Sequence, residues 1–122
     1  MKEECSLCIF NSKALFIEET SAWFIDKSRD FEFKGLYFIR CKRHIESLAE
    51  MNEEESSQVG ALIKKYSAKS QDETKAQRVL ALSLGLSDPH IHFWILPKTE
   101  ENSEDVLKLR TAMGEILSKY KK

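Results

Sequence analysis

The stretch Pro89-His-Ile-His-Phe-Trp-Ile-Leu-Pro-Lys98 carries two of the chain's three histidines. Read as a strand, it sets Ile91, Phe93 and Ile95 on one face and His90, His92 and Trp94 on the other. The first set is what a strand buries against a core; packing does not require the second. A neutral imidazole attacks phosphorus when an acceptor holds its other nitrogen and so fixes the tautomer. His92, in mid-strand between apolar residues, would be rigidly placed for that. A core histidine with satisfied hydrogen bonds has the same signature in sequence.

The second candidate group is metal-ligating. Cys5 and Cys8 form a C-x-x-C pair, and zinc prefers four tetrahedral ligands drawn from thiolate and imidazole. The pair supplies two ligands from one turn, and His44, His90 and His92 are the remaining candidates. From spacing alone a metal half-site stands level with two free thiols or a redox pair. No thioredoxin-like βαβ pattern surrounds the pair, which weighs against redox work. Cys41 sits in a strand-like stretch and reads as a small apolar residue.

The elements that must position these residues follow from length and pattern. With 122 residues, 42% apolar and 32% charged, the chain reads as one soluble domain spanning 1–122. Its 19 basic and 20 acidic residues give no case for a nucleic-acid or membrane surface. No apolar run is long enough to span a bilayer, and the charged start Met1-Lys2-Glu3-Glu4 is unlike a signal peptide. Three cysteines are odd in number and too few for a disulfide framework, so a reducing, cytoplasmic setting is expected.

Leu15–Ile17 and Trp23–Ile25 read as short strands joined by a turn over Glu18–Ser21, and Asp26–Lys34 as a loop closed by Gly35. Leu36–Ile39 is a third strand running into the basic patch Arg40–His44. Ser47–Met51 reads as a helical turn. Asn52 with Glu55 predicts a capping box for a helix over Glu53–Ser70, with Val59, Leu62, Ile63 and Tyr66 on its buried face. Arg78–Leu84 and His90–Leu96 are the last strands, the latter stopped by Pro97. Ser103 is expected to cap a final helix with the apolar stripe Val106, Leu109, Met113, Ile116, Leu117 and Tyr120. Strands and helices do not alternate as βαβαβ, so the class is α+β with an antiparallel sheet.

Four segments together carry a resemblance. His90-Ile-His-Phe-Trp-Ile-Leu-Pro-Lys98 resembles the signature of the histidine triad (HIT) family, His-φ-His-φ-His-φ-φ-Pro-Arg, where φ is apolar. Cys5-Ser-Leu-Cys8-Ile-Phe10 resembles that family's N-terminal Cys-x-x-Cys-x-Phe, and Trp23–Asp26 its strand ending in a ribose-contacting acid. Gly35–His44 resembles its stretch around Gly-His and Pro-Lys-Arg-His. The match runs in order over nearly the whole chain.

The resemblance implies a curved antiparallel sheet of about five strands with two main helices, as a homodimer. It implies a structural Zn2+ on Cys5, Cys8, His44 and His90, closed to catalysis. His92 takes the role of the nucleophile that attacks the α-phosphorus of a nucleoside phosphate, phosphoramidate or dinucleoside polyphosphate. Its second nitrogen would be held by a backbone carbonyl. Asp26 would receive the ribose hydroxyls, Ser87 would touch phosphate, and Phe24, with Phe16 and Ile17, would line a purine pocket. No nucleic-acid or membrane partner is implied.

The sequence also departs from the pattern. Trp94 stands at the third triad position, beside the phosphate; its indole donates one hydrogen bond but exchanges no proton near pH 7. General acid help is worth about 10²–10⁴-fold, so turnover would be slow. Leu36, Cys41 and Leu86 replace a histidine, a proline and a glutamine, and Asp88 would repel a phosphate if it faced the site. Two readings follow, a nucleotidyl hydrolase or transferase using His92, and a non-catalytic zinc protein that binds a nucleotide or a partner. A redox role for the C-x-x-C pair is the third.

Overall fold

A computed structural model describes residues 5–27 and 31–121. Met1–Glu4, part of the expected 26–34 loop and Lys122 lie outside the described residues. Five antiparallel strands form one open sheet in the order β1-β2-β3-β5-β4. They are β1 (Glu18–Glu19), β2 (Trp23–Lys27), β3 (Tyr37–Cys41), β4 (Arg78–Leu82) and β5 (His92–Lys98). The helices are α1 (Ser6–Ser12), α2 (Glu53–Thr74) and α3 (Ser103–Ser118), with a 3₁₀ turn at Leu48–Glu50. This is the expected α+β fold, with a short extra helix where a cysteine turn was expected.

Alternation sorts the sheet into two faces. Trp23, Ile25, Tyr37, Ile39, Cys41 and Ile95 are buried together with Leu62 and Tyr66 of α2. The Trp23 indole N–H donates to the Glu55 carbonyl at 3.0 Å, so even its polar edge is satisfied. Phe24, Asp26, Phe38, Arg40, His92 and Trp94 occupy the opposite face, in register: Phe24 pairs with Arg40, Asp26 and Trp94 with Phe38, and Arg40 with His92.

Several boundaries move for identifiable reasons. The first hairpin turns at Thr20–Ala22, because Thr20 Oγ1 accepts from the Trp23 backbone N–H at 3.0 Å. The expected strand at Leu15–Ile17 therefore shifts to Glu18–Glu19, although Ile17 N–H still donates to Ile25 at 2.8 Å. The third strand extends to Cys41, carrying Arg40 into the sheet. Pro97 does not end the fifth strand: the β3 register stops at Tyr37 opposite Ile95, so nothing on that side needs a proline N–H. His90 and Ile91 precede β5, yet Ile91 still donates to Ile45 and accepts from Cys41.

The expected capping box opens α2, with Asn52 and Glu55 each accepting from the other's backbone N–H at 2.8 Å. The helix runs four residues past Ser70 to a left-handed cap at Lys75. Where it passes Gly35, Ser70 Oγ donates to the Gly35 carbonyl at 2.6 Å. Gly35 has φ +83°, and a Cβ there would stand 2.7 Å from Thr74 Cγ2, so only glycine fits. The last helix starts after Asn102, whose side chain accepts from Thr99 N–H and does not cap. Its apolar stripe is not packed into the body, and no residue of α3 is buried.

Glu55 is the chief ionic fixture between α2 and the end of β3. Buried itself, it accepts from Arg43 Nη2 at 2.8 Å and Nε at 3.0 Å, and from the Cys41 thiol at 3.2 Å. Hydrogen bonding from Arg43 holds its carboxyl down to about 2, and burial with Glu55 beside it pushes Cys41 up to about 12. A depressed carboxyl stabilises fully above its unfolded value and loses that contribution as pH falls through the folded one. Glu55→Gln is therefore expected to destabilise by about 2 kcal/mol at pH 7. In urea unfolding from pH 7 to pH 2, the gap to wild type should close below about pH 4; a pH-independent gap contradicts the assignment.

Candidate active site and metal centre

The strands and α1 bring Cys5, Cys8, His44 and His90 together, with their donor atoms all within 4.8 Å of one another. Cys5 is the N-cap of α1, and its Sγ accepts from Cys8 N–H, so the helix turn aims both sulfurs the same way. Cys8 Sγ lies 3.1 Å from His44 Nδ1 and 3.4 Å from His90 Nδ1; Cys5 Sγ is also 3.4 Å from His90 Nδ1. His90, fully buried, donates from Nε2 to the Cys41 carbonyl at 2.6 Å. His44 donates from Nε2 to Glu46 at 2.8 Å. Both ring protons are thus committed outward, and two Nδ1 lone pairs face each other at 3.2 Å. A cation between them removes that repulsion, and these four residues could hold a metal ion. Burial also holds the His90 imidazole below its ordinary value, in the neutral ligating form.

A cavity of about 480 Å³ is lined by side chains of α1, β2, β3, β5 and the segment between β4 and β5. His92 opens onto it. Its Nδ1–H donates to the His90 carbonyl at 2.6 Å, the backbone acceptor that the resemblance implies for the nucleophile. Its Nε2 has no hydrogen-bond partner among the described residues, where no buried side-chain nitrogen or oxygen is unpaired, so that atom reaches the cavity. Asp26, Ser87 and Trp94 line the same space. Phe24 does not: its ring stacks on Phe16 at 4.7 Å and is covered by the Arg40 and Lys42 cations. Ile17 is absent from the lining too.

Trp94 does not lie on the imidazole. It stacks on Phe38 of the neighbouring strand, with centroids 4.3 Å apart and planes at 20°. Phe31 meets it at 6.3 Å, and the His92 ring stands perpendicular to it at 6.5 Å. Its indole N–H has no acceptor among the described residues, and the space beside His92 stays open.

The residue that sequence reading missed is Arg40. It looks like part of a surface basic patch, but the register turns it into the cavity wall, where it is 1% exposed. Its Nε donates to Asn11 Oδ1 at 2.5 Å, Nη2 donates to the Leu15 carbonyl, and Nη1 lies 3.6 Å from Asp26. Asp26, 3% exposed, also accepts from Lys27 N–H at 2.9 Å. Its alternation with Phe38, opposite the core residues Tyr37, Ile39 and Cys41, was the available signal.

No protein-family model and no curated protein matches the chain. Solved structures do. A hypothetical protein from Leishmania major aligns over 98% of this chain and 99% of its own, with a TM-score of 0.71 and 22% identity. A HIT family member from Bacillus subtilis aligns over 93% and 96%, at 0.67 and 20%. A hypothetical histidine triad nucleotide-binding protein from Sulfolobus tokodaii aligns over 79% and 70%, at 0.65 and 23%. At such identities the likeness establishes the fold: the chain has the α+β architecture of HIT proteins.

The cluster yields a direct expectation. Cys8→Ser or His44→Ala should lower bound metal from about one equivalent per chain to near none, and the unfolding midpoint by about 10 °C. Cys41→Ala should keep the metal. Elemental analysis and calorimetry on purified protein check both; full metal retention in Cys8→Ser contradicts the site.

Proposed function

We propose that this chain is a zinc-containing nucleotidyl hydrolase or transferase of the histidine triad type, with His92 as nucleophile. The observation that carries it is the His92 Nδ1–H bond to the His90 carbonyl, which presents the Nε2 lone pair to the cavity. Nε2 attacks the α-phosphorus of a nucleoside phosphate, phosphoramidate or dinucleoside polyphosphate. The N–P bond forms as the bond to the leaving group breaks, and the leaving group takes a proton from solvent. Water or another acceptor then attacks phosphorus and gives up its proton to solvent as the P–N bond breaks and its electron pair returns to Nε2, releasing the nucleotide. Throughout, Nδ1 keeps its proton and donates it in the hydrogen bond to the His90 carbonyl, which stabilises the positive charge that develops on the ring.

Asp26 is the candidate for the ribose hydroxyls, with Arg40 balancing its charge. Ser87 and the Trp94 indole N–H are donors for phosphate oxygens. Aromatic and apolar residues of the lining, Phe10, Phe31 and Phe38 among them, suit a planar base. The Sulfolobus tokodaii relative, described as nucleotide-binding, supports the reading.

Zinc suits the Cys2His2 set. Around a tetrahedral zinc, such ligand atoms stand roughly 3.3–3.8 Å apart; four of the pairs here stand at 3.1–3.4 Å, and all the donor atoms lie within 4.8 Å of one another. The ion would fasten α1 to the start of β5 and, with four protein ligands, supply structure and not catalysis. Three free thiols suit a reducing, cytoplasmic setting, and no helix of the described residues is long and apolar enough to cross a membrane.

The packing of Trp94 on Phe38 favours a second reading, a binding module without turnover, because no group there can pass a proton to the leaving group. Release of AMP from an adenosine phosphoramidate separates the two. His92→Ala should abolish it by at least about 10³-fold, and Trp94→His should raise it about 10²-fold. Equal trace activity in wild type and His92→Ala leaves the binding module.

The exposed stripe of α3 supports a homodimer. Leu109, Met113, Ile116, Leu117 and Tyr120 are 45–77% exposed, whereas a stable interface covers about 800 Å² on each copy. Sedimentation should give a dimer that Ile116→Glu with Leu117→Glu converts to a folded monomer; an unchanged mass removes α3 from the interface.

A further inference from the structure

The cavity beside His92 carries one carboxylate that the proposed reaction does not use. Asp88 lines it and accepts from Ser6 Oγ at 3.0 Å. Ser6 directly follows the candidate ligand Cys5 and Asp88 stands two residues before His90, so their hydrogen bond joins the two segments that carry those ligands. The other charges of the cavity are accounted for differently. Asp26 and Arg40 face each other, and Lys27 stands on β2, two strand spacings, or about 10 Å, from β5. Among the described residues no cationic side chain pairs with Asp88; its one hydrogen bond comes from a neutral hydroxyl.

An uncompensated carboxylate beside a phosphate site is unfavourable for a polyanion and favourable for a cation. Leu84 and Leu86, exposed on the same connecting segment as Asp88, also line the cavity and offer apolar surface to an alkyl chain. These residues lie on the β4–β5 segment, away from the β2 strand that carries Asp26. With the nucleoside on the Asp26 side, this end receives the group that departs from phosphorus.

We infer that Asp88 is a specificity-determining residue, which selects nucleoside phosphoryl compounds whose departing group is an alkyl chain ending in an ammonium or guanidinium, and disfavours polyphosphate leaving groups. This rests on the nucleotide reading of the His92 cavity given above, but not on turnover.

The test uses inert ligands. Adenosine 5′-(4-aminobutyl)phosphonate and adenosine 5′-butylphosphonate differ only in the terminal ammonium, and their P–C bond does not hydrolyse. Titration calorimetry on the metal-loaded protein should show the aminobutyl compound binding roughly 5-fold tighter than the butyl compound, and ADP weakest of the three. In Asp88→Asn, which keeps an acceptor for Ser6, the two phosphonates should bind within about 2-fold of each other, and ADP should gain. Both phosphonates bound equally by wild type, or the preference kept in Asp88→Asn, overturns the role of Asp88 and leaves the nucleotide reading standing. No binding of any of the three overturns both.

Discussion

The hydrogen bond from His90 Nε2 to the Cys41 carbonyl, 2.6 Å long and fully buried, is the contact on which both candidate sites depend. It fixes the tautomer, so that Nδ1 turns toward the two thiols and His44. It also fixes the backbone, whose carbonyl receives the Nδ1 proton of His92. One residue therefore faces the candidate metal ligands with its ring and His92, the proposed nucleophile, with its main chain. The Asn11 amide donates to the same Cys41 carbonyl at 3.0 Å, which ties α1 into the arrangement. A metal held by these four residues would tie α1, the segment after β3 and the entry to β5 together. It would act on the proposed chemistry through position alone.

Arg40 sets a second constraint. A guanidinium that is almost wholly buried is tolerable only when paired and hydrogen-bonded. Asp26, Asn11 and the Leu15 carbonyl meet that requirement from three separate segments. The acid that the histidine triad resemblance assigns to ribose thus has a structural duty as well. Its carboxylate balances a cation in the cavity wall, and a ligand that used it would share it with Arg40. The flat guanidinium also lies over Phe24, which is not in the lining, and Phe10, Phe31, Phe38 and Trp94 form the aromatic wall of the cavity.

Trp94 illustrates how one substitution acts through packing. Its bulk raises the expectation that it would crowd His92. The antiparallel register places Phe38 directly opposite, and stacking of the two rings draws the indole along the sheet. The imidazole keeps its open nitrogen, and the position loses proton transfer without losing space. Asp88 shows the complementary case, where a residue that lines the cavity puts charge beside the proposed phosphate position.

From the sequence alone, alternation in 89–98 put His90, His92 and Trp94 on one face, and the Asn52–Glu55 pair marked the start of α2. Those signals are local, because a period of two and a capping box are properties of neighbouring residues. The four candidate metal ligands were legible as a set only through a resemblance, since the pairs Cys5–Cys8 and His44–His90 are far apart in the chain and spacing could not join them. Tertiary structure decided the rest. Whether Arg40 faced solvent or the cavity depended on which strand it paired with. Pro97 could stay inside a strand because its neighbour ended earlier. The apolar stripe of α3 was visible as a stripe, but the body of the fold offers it no surface. Each outcome turns on contacts between distant segments, which a periodic pattern does not encode.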